Sequence, residues 1–154
     1  MSTPITPEIH RRLAVDLFNQ TWTLMEKPDR TAAERDAMIH GAHASCHHWS
    51  LVGNATNLSI GEWQISRVYA VLKRPEPALY HAHRCLEISE QNKLPPFNLG
   101  YAHEAIARAL SLTNHPHTAK HLEQAKQHAA AITDPEDQKV LLTDLETIPQ
   151  SAAS

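Results

Sequence analysis

The chain has 154 residues, a formal net charge of −3 with its histidines neutral, and 42% hydrophobic residues. That length suits one domain, the apolar content excludes wholesale disorder, and the absence of any basic stripe speaks against a nucleic-acid partner. Four glycines are too few for an all-β chain rich in tight turns, and no apolar run reaches the 18 residues of a membrane helix.

Seven helices are expected in chain order. Thr6-Pro7 opens the first, with a capping hydroxyl followed by proline where its missing N–H costs nothing. Ile9, Leu13, Leu17 and Leu24 make one apolar stripe, Ala14, Phe18, Trp22 and Met25 a second, and Lys27-Pro28 closes the helix. Thr31 and Glu34 form a capping box for the second helix, which runs to about Val52 before Gly53-Asn54. Ser59 and Glu62 have capping-box spacing for the third helix, with Thr56 or Asn57 as an earlier start. That helix is apolar on two sides, through Leu58, Ile65, Val68, Tyr69 and Leu72 and through Trp63, Ala70 and Val71.

Arg74-Pro75-Glu76-Pro77 turns the chain into the fourth helix, which carries Ala78, Ala82 and Cys85 at helical spacing and ends before Pro95-Pro96. The fifth starts near Phe97 and stops at Asn114, and the sixth starts at Pro116. Asp134-Pro135 caps the seventh, and Ile148-Pro149 ends it. A disordered tail is expected over about 149–154. Nothing alternates as a strand does.

A longer period overlies these helices. The stretch from Ile65 to Ile88 resembles a tetratricopeptide unit, with Tyr69-Ala70 closing one helix and Ala78, Ala82 and Cys85 supplying small residues where its partner approaches. The design recurs from Ala102 to Ile132, Ala119 and Ala125 standing for Ala78 and Cys85 at a step of 40 to 41 residues. The step exceeds the 34 residues of the tetratricopeptide repeat, and Ser66 and Glu90 replace that pattern's glycine and proline. Through Gly61-Glu62-Trp63, Ser66–Leu72 and His83–Glu87 the chain also resembles an uncharacterised group of bacterial helical-repeat proteins. Both resemblances imply an all-α fold of antiparallel helix pairs stacked as a short tetratricopeptide-like solenoid, and neither implies an activity.

Twelve histidines are the compositional oddity. At 100° per residue His40, His43 and His47 share one edge of the second helix, and histidines four apart can place both rings on one ion. A zinc, copper or nickel site is the alternative this raises, with Cys46 or Glu62 as further ligands. The competing reading is a half-buried helix boundary where imidazoles fill space. His117, His121 and His128 read as a solvated face, and His81, His83 and His103 as packed side chains. Glu62, Arg67, Glu104 and Arg108 are charges on core-like helices, which predicts a paired network.

Cys46 has a histidine beside it, but successive side chains on a helix point about 100° apart; with no other nucleophile arrangement and no glycine-rich phosphate loop, neither catalysis nor a cofactor is expected. The expected function is a binding module for a protein or peptide partner, with a second copy of itself as an alternative, and Tyr69, Tyr101, His103, Glu104 and Arg108 are the candidates for the docking surface. Small-molecule binding in a polar pocket between helices is a further alternative. No secretory signal or membrane span is evident, so a cytoplasmic chain with reduced Cys46 and Cys85 is expected.

Overall fold

The structure, a computed structural model, describes residues 2–150; the last four residues of the expected tail, 151–154, lie outside the described residues. Seven α-helices make up the fold: α1 Pro7–Glu26, α2 Ala32–Val52, α3 Ala55–Val71, α4 Pro75–Gln91, α5 Pro96–Ser111, α6 Thr118–Ala130 and α7 Pro135–Glu146. Strands are absent among the described residues.

The helix starts follow local chemistry. Thr6 Oγ1 accepts from Ile9 N–H with Pro7 in the first turn, Thr31 and Glu34 complete a reciprocal capping box, and Asp134 accepts from Glu136 and Asp137 N–H. Two starts differ from the sequence expectation. α3 begins at Ala55, because Asn54 and Asn57 cap each other's N–H groups at 3.1 Å. Ser59 is therefore a buried mid-helix residue, hydrogen-bonded to Ser89 at 2.8 Å, and not a cap. α6 begins at Thr118 instead of Pro116, since a turn through His115–His117 precedes it.

Three of the helix ends share one device. Lys73, Lys93 and Asn114 adopt φ of 60°, 50° and 52° after α3, α4 and α5. In each case the following N–H reaches back five residues: Arg74 to Tyr69, Leu94 to Ser89 and His115 to Leu110. These are Schellman terminations, satisfying carbonyls that would otherwise be orphaned, although two of the three left-handed residues are lysines rather than glycines.

α1 with α2, α3 with α4, and α5 with α6 pair as hairpins, and α2, α4 and α6 each also pack on the next odd-numbered helix. α1 approaches α3, α3 approaches α5 and α5 approaches α7, whereas α2, α4 and α6 make no close main-chain approach to one another. A two-layer array curves toward the layer whose members lie closer together. The odd-numbered helices therefore form the inner, concave layer of a short helical-repeat solenoid.

Small residues set the hairpin spacing. Ala78, Ala82 and Cys85 are at most 1% exposed. Their counterparts one repeat on are Thr118, Leu122 and Ala125, all buried, a uniform step of 40 residues. Ala119, expected in that role, lies on the solvent side of α6. Ser66, standing where the tetratricopeptide pattern has glycine, is small enough for α4 to approach and donates to Ala78 O at 2.7 Å.

Gly61 holds a close crossing of α2 on α3. A Cβ there would lie 2.9 Å from Cys46 Sγ and 3.6 Å from its Cα. Alanine is the better helix former by about 1 kcal/mol. Overpacking against a short, buried side chain costs more, so Gly61→Ala should be destabilising by about 1–2 kcal/mol in urea denaturation. Adding Cys46→Ala should recover part of that loss; a Gly61→Ala variant as stable as the parent would refute the close crossing.

Candidate functional site

The inner layer is built on a buried charge cluster. Glu104, in the middle of α5, is 0% exposed. Its carboxylate accepts from Trp63 Nε1 at 3.0 Å, Arg67 Nη1 at 3.1 Å and Arg108 Nε at 2.7 Å. A carboxylate so deep requires this many donors, because desolvation removes its water and an unmatched charge costs several kcal/mol. Asp144 on α7 extends the cluster, accepting from Tyr101 Oη at 2.6 Å and from Arg67 Nη2 at 3.5 Å. Arg108 Nη2 donates to the Asp144 carbonyl and to Thr147 Oγ1, at 3.0 and 2.8 Å. Burial, with Asp144 accepting the phenol proton, pushes the Tyr101 hydroxyl well above its ordinary pKa, so it stays a donor.

This cluster holds Trp63 and Tyr101, the two central members of a row of aromatic rings. Trp22 of α1 lies 5.6 Å from Trp63 of α3, Trp63 lies 5.4 Å from Tyr101 of α5, and Tyr101 lies 5.0 Å from Phe97. The tilted and edge-on arrangements suit the ring quadrupoles, and the Arg67 guanidinium sits 5.7 Å from the Trp63 ring centre. The row walls a cleft of about 430 Å³ that Ile60, Asn98, Val140 and Asp144 also line. It draws on all four inner helices. A second cavity of about 350 Å³ lies toward the other ends of these helices, bordered by Arg67, Lys73, Arg108, Ser111 and Thr147.

The histidines gather between helices on the other layer. His43 Nε2 is 2.9 Å from the Tyr69 hydroxyl, and its ring meets that of His81 edge-on at 5.3 Å. His81 Nδ1 donates to Glu62 Oε2 at 2.6 Å, and Tyr69 stacks on His81. His40 and His47 are exposed, and the His47 ring packs on His48 rather than turning toward His43. Burial, with His81 and His40 nearby, lowers the His43 pKa. On α5 and α6, His103 is sandwiched between His121 and His128 at 5.3 and 5.5 Å, with 3.1 Å between the Nδ1 atoms of His103 and His121. His121 and His128 are thus half-buried against α5 and not a solvated face. No group of three or more His, Cys, Asp or Glu side chains is placed to hold a metal ion among the described residues.

The five residues expected on a docking surface are distributed over four places. Tyr101 lines the cleft, Glu104 and Arg108 lie in the charge cluster beneath it, His103 faces α6, and Tyr69 faces α2 and α4. Trp22, Trp63, Phe97, Asn98 and Asp144 went unrecognised as cleft residues. One signal was available: Trp22 and Trp63 are 41 residues apart, the repeat step already visible in the even-numbered helices. Cys46 and Cys85 are buried free thiols, each pushed up to about 12 by desolvation, which leaves them inert as nucleophiles near neutrality.

No helix is long and apolar enough to cross a membrane among the described residues. Comparison of the chain with protein-family models, with curated proteins and with solved structures found no match.

Proposed function

We propose that this chain is a cytoplasmic, non-catalytic binding module of the tetratricopeptide-like kind, and that its concave cleft receives a peptide segment of a partner protein. The observation that carries the reading is the row Trp22–Trp63–Tyr101–Phe97 across three consecutive inner helices, opening on a cleft of about 430 Å³. Aromatic rings supply large apolar contact area at low conformational cost, which is why they dominate binding hot spots. Hydrogen bonds to the ion cluster underneath hold the two central rings, Trp63 and Tyr101, so that part of the surface is preorganised before a partner arrives. The buried, inert thiols support a role without covalent chemistry.

A photo-crosslinking amino acid at Val140, 47% exposed on the cleft rim, tests this. The expected result is an adduct with a heterologous polypeptide. The adduct should disappear in Ile60→Glu, which places a charge in the cleft, and should not form from the same crosslinker at Tyr80, 61% exposed on α4. Adducts only with a second copy of the chain would refute a heterologous partner.

A further inference from the structure

Asn98 is the one polar side chain in the cleft whose chemistry the fold leaves unused. It is 5% exposed and lines the cleft in the first turn of α5. Its main-chain N–H donates to Pro95 O at 2.9 Å, but its carboxamide forms no hydrogen bond among the described residues. Ser59 and Cys85, the other polar groups deep in the cleft, are satisfied by Ser89 and by each other. A carboxamide offers two donors and one acceptor in a plane, which matches the N–H and C=O of a peptide unit. In the open cleft the carboxamide is left to solvent, and a ligand amide that pairs with it replaces that water with a fixed partner in an otherwise apolar site.

Charge narrows the ligand further. No lysine, arginine or histidine lines the cleft, and the carboxylate that does, Asp144, already accepts from Tyr101 and Arg67. Arg67 and Arg108 lie next to it, but both guanidinium groups are committed to Glu104 and to Asp144 or Thr147. Recruiting either to a ligand carboxylate would strip a counter-charge from fully buried Glu104, which is costly. The cleft's volume falls within the range of roughly 300–1,000 Å³ usual for ligand pockets, and its walls are chiefly apolar.

Building on the reading that the cleft receives a peptide, we infer that the segment it takes is internal and uncharged: one bulky apolar side chain fills the aromatic cleft, and the adjoining main-chain amide pairs with the Asn98 carboxamide. A terminal carboxylate or an acidic side chain is not the anchor.

The probes are fluorescently labelled heptapeptides of Ser and Gly with a central Trp, Phe, Leu or Ala. Each is made with both ends blocked as amides, and again with the apolar residue at a free C-terminal carboxylate. Binding is followed by anisotropy. Blocked peptides with Trp, Phe or Leu should bind saturably and those with Ala should not. Asn98→Leu, close in size but apolar, should weaken binding about tenfold, as loss of a buried hydrogen bond implies. Asn98→Ala serves as a second variant, and far-ultraviolet circular dichroism verifies that each variant keeps the parent helix content. Tighter binding of the free-carboxylate set would overturn the inference. So would saturable binding indifferent to both Asn98 variants, a result that leaves the cleft itself standing as a docking site. No binding by any peptide in either set would overturn the inference and the peptide reading together.

Discussion

Glu104→Leu should destabilise the protein by about 3–5 kcal/mol, a large share of the 5–15 kcal/mol available to a typical domain. The substitution removes a carboxylate that is 0% exposed and serves three donors on two helices. Trp63 Nε1 then loses its acceptor, and two guanidinium groups, each 14% exposed, lose their shared counter-charge. Arg67 keeps only its longer contact with Asp144, at 3.5 Å, and Arg108 keeps Asp144 O and Thr147. Substituting the whole cluster behaves differently, since apolar side chains of similar volume carry no desolvation penalty. Arg67→Met/Glu104→Leu/Arg108→Met should regain most of the loss. Urea denaturation of the parent, the single variant and the triple variant measures both effects. A loss below about 1 kcal/mol in the single variant would mean that the carboxylate is effectively solvated.

Acid should weaken the fold between pH 6.5 and 4, beginning above the range where most carboxylates titrate. His103 is 6% exposed, and its pKa is lowered from 6.5 to about 4, first by desolvation and then by His121, His128 and Lys120. Above pH 6.5 neither the folded nor the unfolded chain binds this proton. As the pH falls through that window the unfolded chain takes it up while the folded chain resists, so stability drops; below pH 4 both are protonated and the change is complete. One pKa unit corresponds to 1.36 kcal/mol. Allowing for partial solvent screening around the stack, this residue alone should remove about 2 kcal/mol. His43 and His48 are lowered by desolvation and neighbouring histidines, and His121 by desolvation, Lys120 and neighbouring histidines, so they act in the same direction. Urea midpoints at pH 7.5, 5.5 and 4.5 measure the loss. His103→Gln should lose less than the parent across that interval, and an equal loss would assign the acid sensitivity elsewhere.

Much of the fold is legible residue by residue because helix starts and stops are local. Thr6-Pro7, the Thr31/Glu34 box and Asp134-Pro135 announce three helices within four residues each. Ser59 and Glu62 mislead for the same reason: their spacing satisfies the capping rule, but Asn54 and Asn57 satisfy it first. The lysines at positive φ carry no comparable signal, because lysine favours no turn and adopts the left-handed region only when the next helix demands a tight reversal. Ala78 and Cys85 disclose the hairpin because close helix approach requires small side chains. Ala119 shows that a small residue at nearly the right spacing can still face water.

By itself the sequence determined an all-helical chain, its segmentation into seven elements and its pairing into hairpins. Each of these depends on residues a few positions apart or on a repeat step readable along the chain. Tertiary structure alone decided which polar groups meet. The Arg67–Asp144 pair spans 77 residues, Trp63 and Glu104 are 41 apart, and His103 finds His121 only because α6 folds back on α5. Helical periodicity assigns a side chain to a face of its own helix. Which face of a distant helix stands opposite depends on packing angles that no local rule contains, and for that reason the aromatic cleft emerges only once the four inner helices are side by side.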